Sequence, residues 1–203
     1  MAGQSGVYRG VSARDRAAGR RARLLEATLA VWADPETRTT MTAICVEAGL
    51  TERYFYESFR NLDEALTAVL DAIAVEIEDT TQAAADAADD DPTARVHASV
   101  RAFVQLLVDD PRKGRVAIIE SAAVPVLRRR RTELLRHFAH RTAQESRDLL
   151  GLAGRGPAED EIAGLLFIGG MAELITAWLD GTLEATTDEI VEAASRALLG
   201  IYR

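Results

Sequence analysis

Apolar residues recur every three or four positions along almost the whole chain, and no stretch shows the strict alternation of a half-buried strand. A first stripe illustrates the spacing, with Leu24, Leu25, Thr28, Val31 and Trp32 on one helical face. Residues that start or stop helices separate the stripes: Pro35, Gly49, Asp91, Pro92, Asp110, Pro111, Pro125, Gly181 and Thr186. The pattern predicts an all-α protein of about nine helices.

Two of the predicted helices are short and lie between residues 40 and 59. Thr40 can cap the first helix, and Gly49 can end it in a left-handed conformation. Thr51 can cap the second helix, in which Phe55 and Phe59 lie four residues apart and share the inward face. Two helices joined by a tight glycine turn are typical of a helix-turn-helix.

The helices after residue 60 are predicted to be longer. Asn61 and Glu64 have the spacing of a capping box for the fourth helix. The fourth helix is followed by TTQAAADAADDDPTARV, whose Ala/Asp run is low in complexity and predicts a loop. Asp91 as the cap and Pro92 at the first helical position then start the next helix. No internal repeat is visible.

Composition and charge place the chain among globular proteins. Of its 203 residues, 48% are hydrophobic and 28% charged, and the single cysteine, Cys45, cannot form an intramolecular disulfide. We see no signal peptide and no apolar run near the roughly 20 residues of a membrane span, so we expect a soluble, cytoplasmic protein.

The net charge of −8 is unevenly distributed. The first 23 residues hold six arginines (positions 9, 14, 16, 20, 21 and 23) and one acidic residue, Asp15. A basic end on an acidic body can orient a protein on a polyanion, although a merely solvated arm has the same composition.

Residues 24–66 resemble the N-terminal domain of the TetR family of one-component transcriptional regulators. The first part of the family profile corresponds to the stretch LLEATLAVW. The second part corresponds without a gap to Thr40, Ile44, Cys45, Ala48, Gly49, Leu50, Thr51, Phe55, Tyr56, Phe59 and Leu66. The chain departs from the profile at Leu62, where the family often has a phosphate-binding lysine, and it places Glu52 and Glu57 in the second short helix.

The resemblance implies a basic arm at 1–19, a three-helix DNA-binding domain at 20–62, and a larger helical ligand-binding and dimerisation domain at 63–203. It implies a homodimer that binds a palindromic double-stranded DNA operator and, as a repressor, is released by a small-molecule effector. Activation is the alternative sign of regulation. A helical ligand carrier or interaction protein with a degenerate helix-turn-helix is the alternative function.

The expected DNA contacts lie on and beside the second short helix. Arg53 can donate two hydrogen bonds to guanine, and Glu52 or Glu57 can accept one from cytosine. The resemblance assigns a phosphate contact to the Tyr56 hydroxyl, while Tyr54 is either a base contact or a half-buried support. The complete set of DNA-binding candidates is Arg20, Arg21, Thr40, Thr51, Glu52, Arg53, Tyr54, Tyr56 and Arg60.

Two further sets of residues follow from the implied second domain. The candidates for the effector pocket are Phe103, Glu120, His137, Phe138, Phe167 and Met171. The candidates for the dimer interface are Gly169, Gly170, Leu174, Trp178, Ile190, Ala194 and Leu198. Glu120 has apolar neighbours and therefore either binds a cationic effector or pairs with an arginine such as Arg131.

Other kinds of site have little support in the sequence. Phosphate-binding loops, dinucleotide-binding fingerprints and nucleophile elbows are absent from the sequence, so we expect neither catalytic residues nor a cofactor. His137 and His140 are three residues apart but lack a cysteine or carboxylate pattern around them, so we expect no metal site. The expected partners are operator DNA, a second copy and a small molecule, without a membrane.

Overall fold

The computed structural model describes residues 12–150 and 156–202, and within these ranges it contains nine helices and no strand. They are α1 (Ala13–Ala33), α2 (Met41–Ala48), α3 (Glu52–Ser58), α4 (Leu62–Ala87), α5 (Pro92–Asp109), α6 (three consecutive stretches, Pro111–Gly114, Arg115–Glu120 and Ser121–Ala123), α7 (Arg128–Leu150), α8 (Pro157–Leu179) and α9 (Thr187–Ile201). The middle stretch of α6 is π-helical, and a 3₁₀ turn at Pro125–Leu127 leads into α7. The all-α prediction is confirmed.

Side-chain caps fix most of the helix starts. The hydroxyls of Thr40 and Thr186 accept from the backbone N–H three residues on, as does the carboxylate of Asp91 before the proline that begins α5. Thr51 stands at the N-cap of α3 but makes no side-chain capping hydrogen bond, so this detail of the prediction is wrong. Gly49 ends α2 with a φ of 59°, a left-handed conformation that glycine adopts without strain.

Two helices are longer than predicted. α1 begins at Ala13, where Ser12 and Asp15 form a capping box, so residues 13–19 are helical rather than part of an arm. The rest of the predicted arm, residues 1–11, lies outside the described residues. α4 continues to Ala87 through most of the stretch predicted as a loop, because alanine is the strongest helix former.

The chain divides into two compact units between Leu66 and Thr67, four residues after the predicted boundary. In the first unit, which we call the helix-turn-helix unit, α1 packs against α2 and α3. Its core includes Leu24, Ile44, Phe55 and Phe59, each at most 1% exposed. Burial raises the pKa of the Cys45 thiol, which faces this core.

The second unit, the cavity unit, is built on two helix pairs, α7 with α8 and α5 with α9. At Gly164 the pair α7 and α8 approaches backbone to backbone, since a Cβ atom there would lie 2.3 Å from the Ala139 carbonyl oxygen. The second pair buries Val104, Leu107, Ile190 and further residues in one apolar cluster.

α8 is the most apolar helix of the cavity unit. By length and composition it could cross a membrane, so the prediction that no segment approaches such a span is wrong for Pro157–Leu179. Core helices of water-soluble proteins also meet this test, and Ala163, Phe167, Met171 and Ile175 of α8 are buried in the apolar cluster. The opposite side of α8 is exposed, as described below.

Candidate DNA-binding surface and ligand cavity

The aromatic residues of α3 divide between core and surface. Phe55 and Phe59 are buried with their ring centroids 5.6 Å apart, as predicted. Tyr56 is 58% exposed and makes an edge-to-face contact with Phe55. Tyr54 is half-buried beneath the guanidinium group of Arg20, which lies 4.5 Å from the centre of its ring. The sequence leaves Tyr54 as either a base contact or a half-buried support, and its position under Arg20 favours the support.

Glu57 is the common partner of two arginines on this surface. Its carboxylate accepts from Arg53 Nε at 3.1 Å and lies 3.5 Å from Arg20 Nη2. Arg53 is otherwise open to solvent, with 83% of its side chain exposed. Ion pairs of this exposure are weak, on the order of 0–1 kcal/mol each, so both arginines can exchange Glu57 for another anion at low cost.

Arg21 and Arg23 bind the backbone of the short helices instead. Arg21 Nη1 donates to the Ser58 carbonyl at 2.6 Å, and its guanidinium lies 4.2 Å from the centre of the Phe59 ring. Arg23 Nη2 donates to the Ala48 carbonyl at 2.5 Å. Both side chains therefore hold the C-terminal ends of α2 and α3 onto α1. The phosphate contact of Arg21 stays a prediction, and the structure gives this side chain a structural role.

The remaining DNA-binding candidates lie at the ends of the short helices. Thr42 donates to Glu52 at 3.4 Å, while Thr40 is engaged as the cap of α2. Arg60 donates to Glu64 both from its backbone N–H at 2.8 Å and from Nε at 2.9 Å. These two hydrogen bonds lower the pKa of the Glu64 carboxyl, and the one from the Arg60 backbone has the larger effect. The Glu64 carboxylate therefore accepts from Arg60 and not from the backbone N–H of Asn61, so the predicted capping box is only half formed. The other half is present, because the Asn61 side chain accepts from the Glu64 backbone N–H and caps α4.

An apolar cavity of about 220 Å³ lies inside the cavity unit, bounded by α4 to α9. Four of the six predicted pocket residues line it: Phe103, Phe138, Phe167 and Met171. Leucine, isoleucine, valine and alanine side chains supply most of the remaining wall. Cavities of this kind, with few polar groups in an apolar wall, are typical sites for small molecules.

The other two predicted pocket residues do not line the cavity. Glu120 accepts from Arg115 Nε at 3.1 Å, so its partner is an arginine, but a different one from Arg131. His137 Nε2 lies 3.1 Å from a carboxylate oxygen of Glu78. No group of three or more metal-binding side chains occurs within residues 12–150 and 156–202.

The predicted dimer residues fall on different sides of their helices. Ile190, Ala194 and Leu198 are buried against the chain's own core, so they are unavailable to a partner, and Leu174 and Trp178 are partly buried against the same core. A Cβ atom at Gly169 or Gly170 would meet no neighbouring group within 4 Å. Beside these glycines, Ile162 and Leu166 are 60% and 64% exposed, and Leu165 is also exposed. This apolar side of α8, from Ile162 to Gly170, we call the open face.

Solved structures share this arrangement of helices. A fatty acid degradation regulator FadR from Bacillus halodurans superposes with a TM-score of 0.77 at 17% identity, over 89% of this chain and 95% of that one. A TetR family transcription regulator from Marinobacter aquaeolei VT8 has a TM-score of 0.65 at 20% identity, over 93% and 97%. The chain has the TetR-family fold. FadR from Bacillus subtilis, solved in complex with stearoyl-CoA, is similar to this TetR-like chain with a TM-score of 0.72 at 15% identity, over 87% and 96%.

No protein-family model and no curated protein sequence matches the chain. The TetR-like fold is therefore supported by the arrangement of the helices in the solved structures.

Sequence reasoning missed several residues that matter in this TetR-like structure. Glu57 was considered only as a base contact, and nothing in its sequence neighbourhood indicates the pair with Arg20, 37 positions away. Arg23 enters the sequence analysis only as one of the six arginines among the first 23 residues. Arg95 lines the cavity, and no sequence pattern marks it. Arg131 also lines the cavity, whereas the sequence analysis names it only as a possible partner of Glu120.

Proposed function

We propose that the chain is a cytoplasmic, homodimeric DNA-binding transcriptional regulator of the TetR family, a repressor that a small molecule releases from a palindromic operator. One observation carries the proposal: α3 buries Phe55, Phe59 is buried directly after its end, and Arg53, Tyr56 and Glu57 remain on a common exposed surface. A helix whose sole task was packing would have no reason to carry this set of hydrogen-bonding side chains. In a helix-turn-helix the second helix reads base edges in the major groove.

Roles within the surface follow from the chemistry of each side chain. We assign Arg53 to a guanine, Glu52 to a cytosine, and Tyr56 and Arg60 to the phosphate backbone, with Thr51 beside them. Arg20 is assigned to phosphate after it leaves Glu57. Tyr54 positions Arg20, and Arg21 and Thr40 fix the geometry of the short helices.

Fluorescence anisotropy with DNA from upstream of the chain's own gene, measured over a salt series, tests the proposal. We expect tight binding to one fragment that survives competitor DNA and weakens steeply with salt, because each phosphate contact releases counterions. Arg53→Ala should relax the preference between sequences, at about 1–3 kcal/mol for the correct site, whereas Arg60→Ala should weaken all DNA about equally. Equal, weak binding to every fragment would favour the carrier function with a degenerate helix-turn-helix.

The effector half of the proposal depends on the cavity. The Bacillus subtilis regulator of the same fold was solved with stearoyl-CoA. By analogy, we propose that a small molecule binds the cavity here and favours a state with lower operator affinity, with a coupling of about 1–3 kcal/mol. An effector that increases operator affinity, or transcription that falls on deletion of the gene, would instead indicate the other sign of regulation.

We further propose that the open face of α8 forms the dimer interface. Its exposed isoleucine and leucines need a partner surface, and the glycines beside them allow a second helix to approach closely. The exposed side of α9, with Ala193, Ala197 and Gly200, offers a matching small-residue surface. Leu166→Glu should convert a dimer to a monomer in light scattering, whereas Val46→Glu at an exposed position of α2 should not. A dimer that persists in the first variant would place the interface elsewhere.

A further inference from the structure

The charged groups around the cavity are unequally compensated. Three arginines and two glutamates line its wall. Arg141 lies against Glu78 and Glu145 and donates to Gln82, and Arg95 Nη2 lies 3.1 Å from Asp86. The Nε atoms of Arg95 and Arg131 are both buried without a hydrogen-bond partner, but only Arg131 also has no ion pair with any carboxylate in the described ranges.

The neighbours of Arg131 show that this position is distinctive. Arg129 pairs with Glu133 at 2.9 Å, and Arg130 pairs with Asp71 at 2.6 Å. Neither of them lines the cavity, while Arg131 does so together with Leu134, Leu135 and Phe138. Arg131 is half-buried, and its Nε is the buried part of the guanidinium group that has no partner.

The cavity is elongated, and Arg131 lies near one end. Cavity residues of α4 run from Leu70 to Ala85, about 22 Å along the helix at 1.5 Å per residue. Arg130, adjacent to Arg131, binds Asp71 at the first end, and Arg95 binds Asp86 at the other. Between the two ends the wall is mostly apolar, and its charged groups there are Arg141 and the two glutamates that pair with it.

We propose that the cavity binds an extended alkyl chain with an anionic oxygen head group, the head group accepting hydrogen bonds from Arg131 and the chain lying along α4 toward Arg95. The inference rests on the proposed function in that it names the class of effector. The uncompensated cation favours a carboxylate or phosphate over a neutral or cationic head, because charge-assisted hydrogen bonds are the stronger ones. Arg95 already has a carboxylate, so the far end of the cavity needs no second anion.

Calorimetric titration of the full-length protein with decanoate, decanol, decylammonium and decanoyl-CoA tests the head group. We expect decanoate to bind at least about tenfold more tightly than decanol, and decylammonium not to bind. Equal affinity for decanoate and decanol would overturn the proposal, as would the absence of binding by all four. The decanoate and decanoyl-CoA arms distinguish the free carboxylate from a phosphate-bearing conjugate as the source of the anion.

A pair of variants assigns the effect to its residue. Arg131→Met retains length and apolar character, and we expect it to lose the preference for decanoate while decanol still binds. Arg129→Met, on the same helix but outside the cavity, should leave both affinities unchanged. Thermal unfolding followed by circular dichroism checks that both variants are folded. Retention of the full decanoate preference in Arg131→Met would refute the assignment.

The same samples separate this inference from the proposed function. If the protein binds DNA and the head group of the added compound makes no difference to that binding, the proposed class of effector is wrong and the proposed regulatory function still stands. Selective binding of decanoate by a protein that binds no DNA would leave the cavity assignment and remove the regulator.

Discussion

α3 and the cavity helices α7 and α8 are held in place in different ways. α3 is seven residues long, and two phenylalanine rings and the hydrogen bond from Arg21 fix it to α1 and α2. α7 and α8 are 23 residues each and approach backbone to backbone at Gly164. A short element held by a few side chains leaves its remaining positions free for recognition. Long elements packed this closely form a rigid wall around a cavity.

Their charges differ as well. Arg20 and Arg53 share the solvated carboxylate of Glu57, whereas Arg131 has no anionic partner within the described residues. Surface ion pairs exchange readily with a polyanion, while a half-buried cation without an anionic partner favours a specific ligand. The difference suggests that one unit can recognise DNA on its surface and the other a small molecule in its interior.

The largest expected effect tests the dependence of α3 on its aromatic rings. Phe55→Ala leaves a void in the core of the helix-turn-helix unit and should destabilise this unit by about 3–5 kcal/mol. Urea unfolding in a Trp178→Phe background follows the helix-turn-helix unit through Trp32, which is buried in its core. Tyr56→Phe is the control, since it should change stability little and weaken only DNA binding. A small loss of stability in Phe55→Ala would mean that α3 is held mainly by its backbone and arginine contacts.

The second prediction concerns the close approach of α7 and α8. In Gly164→Ala the new methyl group meets the backbone of Ala139, which cannot rotate away, so the helices must separate. We expect the cavity unit to lose about 1–3 kcal/mol, measured by urea unfolding through Trp178 in a Trp32→Phe background. Gly19→Ala in α1, where no group lies within 4 Å, should be neutral or slightly stabilising. Unchanged stability in Gly164→Ala would show that the two helices are not rigidly packed.

A smaller effect is expected at the shared carboxylate. Glu57→Gln frees Arg20 and Arg53 and should raise the affinity for all DNA several-fold, since each released pair is worth on the order of 0–1 kcal/mol. Anisotropy should show a steeper salt dependence for this variant. Glu47→Gln makes the same change of charge at an exposed position of α2. An equal increase in both variants would point to overall charge rather than to released arginines.

The smallest effect is a dependence of stability on pH. The hydrogen bond with His137, and then the contact with Arg141, lowers the pKa of the Glu78 carboxyl. Because the pKa of Glu78 is lower in the folded chain, the unfolded chain binds the proton first as the pH falls. The contribution of Glu78 to the free energy of unfolding is therefore complete above about pH 4.3, and it is lost as the pH falls through the folded-state pKa. Glu78→Gln should make the acid loss of stability shallower in urea unfolding between about pH 5 and 3. Glu184→Gln, which is exposed, should retain the wild-type slope.

The sequence was sufficient for the parts of the fold that depend on near neighbours. The two short helices, their glycine turn and the buried pair Phe55 and Phe59 lie within 20 positions, and their spacing determines which side chains meet. The capping boxes are equally local, as Thr186 with Glu189 shows. The aspartates of the Ala/Asp run predict a loop, but the alanines between them keep α4 helical as far as Ala87.

The ligand cavity could not be located in the same way. Glu120 pairs with Arg115 because α6 is π-helical there, which brings residues five apart onto one side, whereas an α-helical spacing does not. The closeness of Gly164 to Ala139 depends on how two distant segments cross, and neither segment carries a motif. The four aromatic and methionine side chains were assigned to the cavity from the family resemblance, since their spacing fits an apolar core equally well.

The sharing of Glu57 by two arginines has a consequence for how the protein would find an operator in a cell. A genome offers about 10⁶–10⁹ competing sites, and a surface of bare arginines would spend most of its time on them. In the proposed function, Glu57 would act as a built-in counter-ion that every DNA molecule must displace. The penalty would be the same on random DNA and on an operator, so the ratio of the two affinities would not change. Its effect would be kinetic: the protein would leave each random site sooner and would search the genome faster.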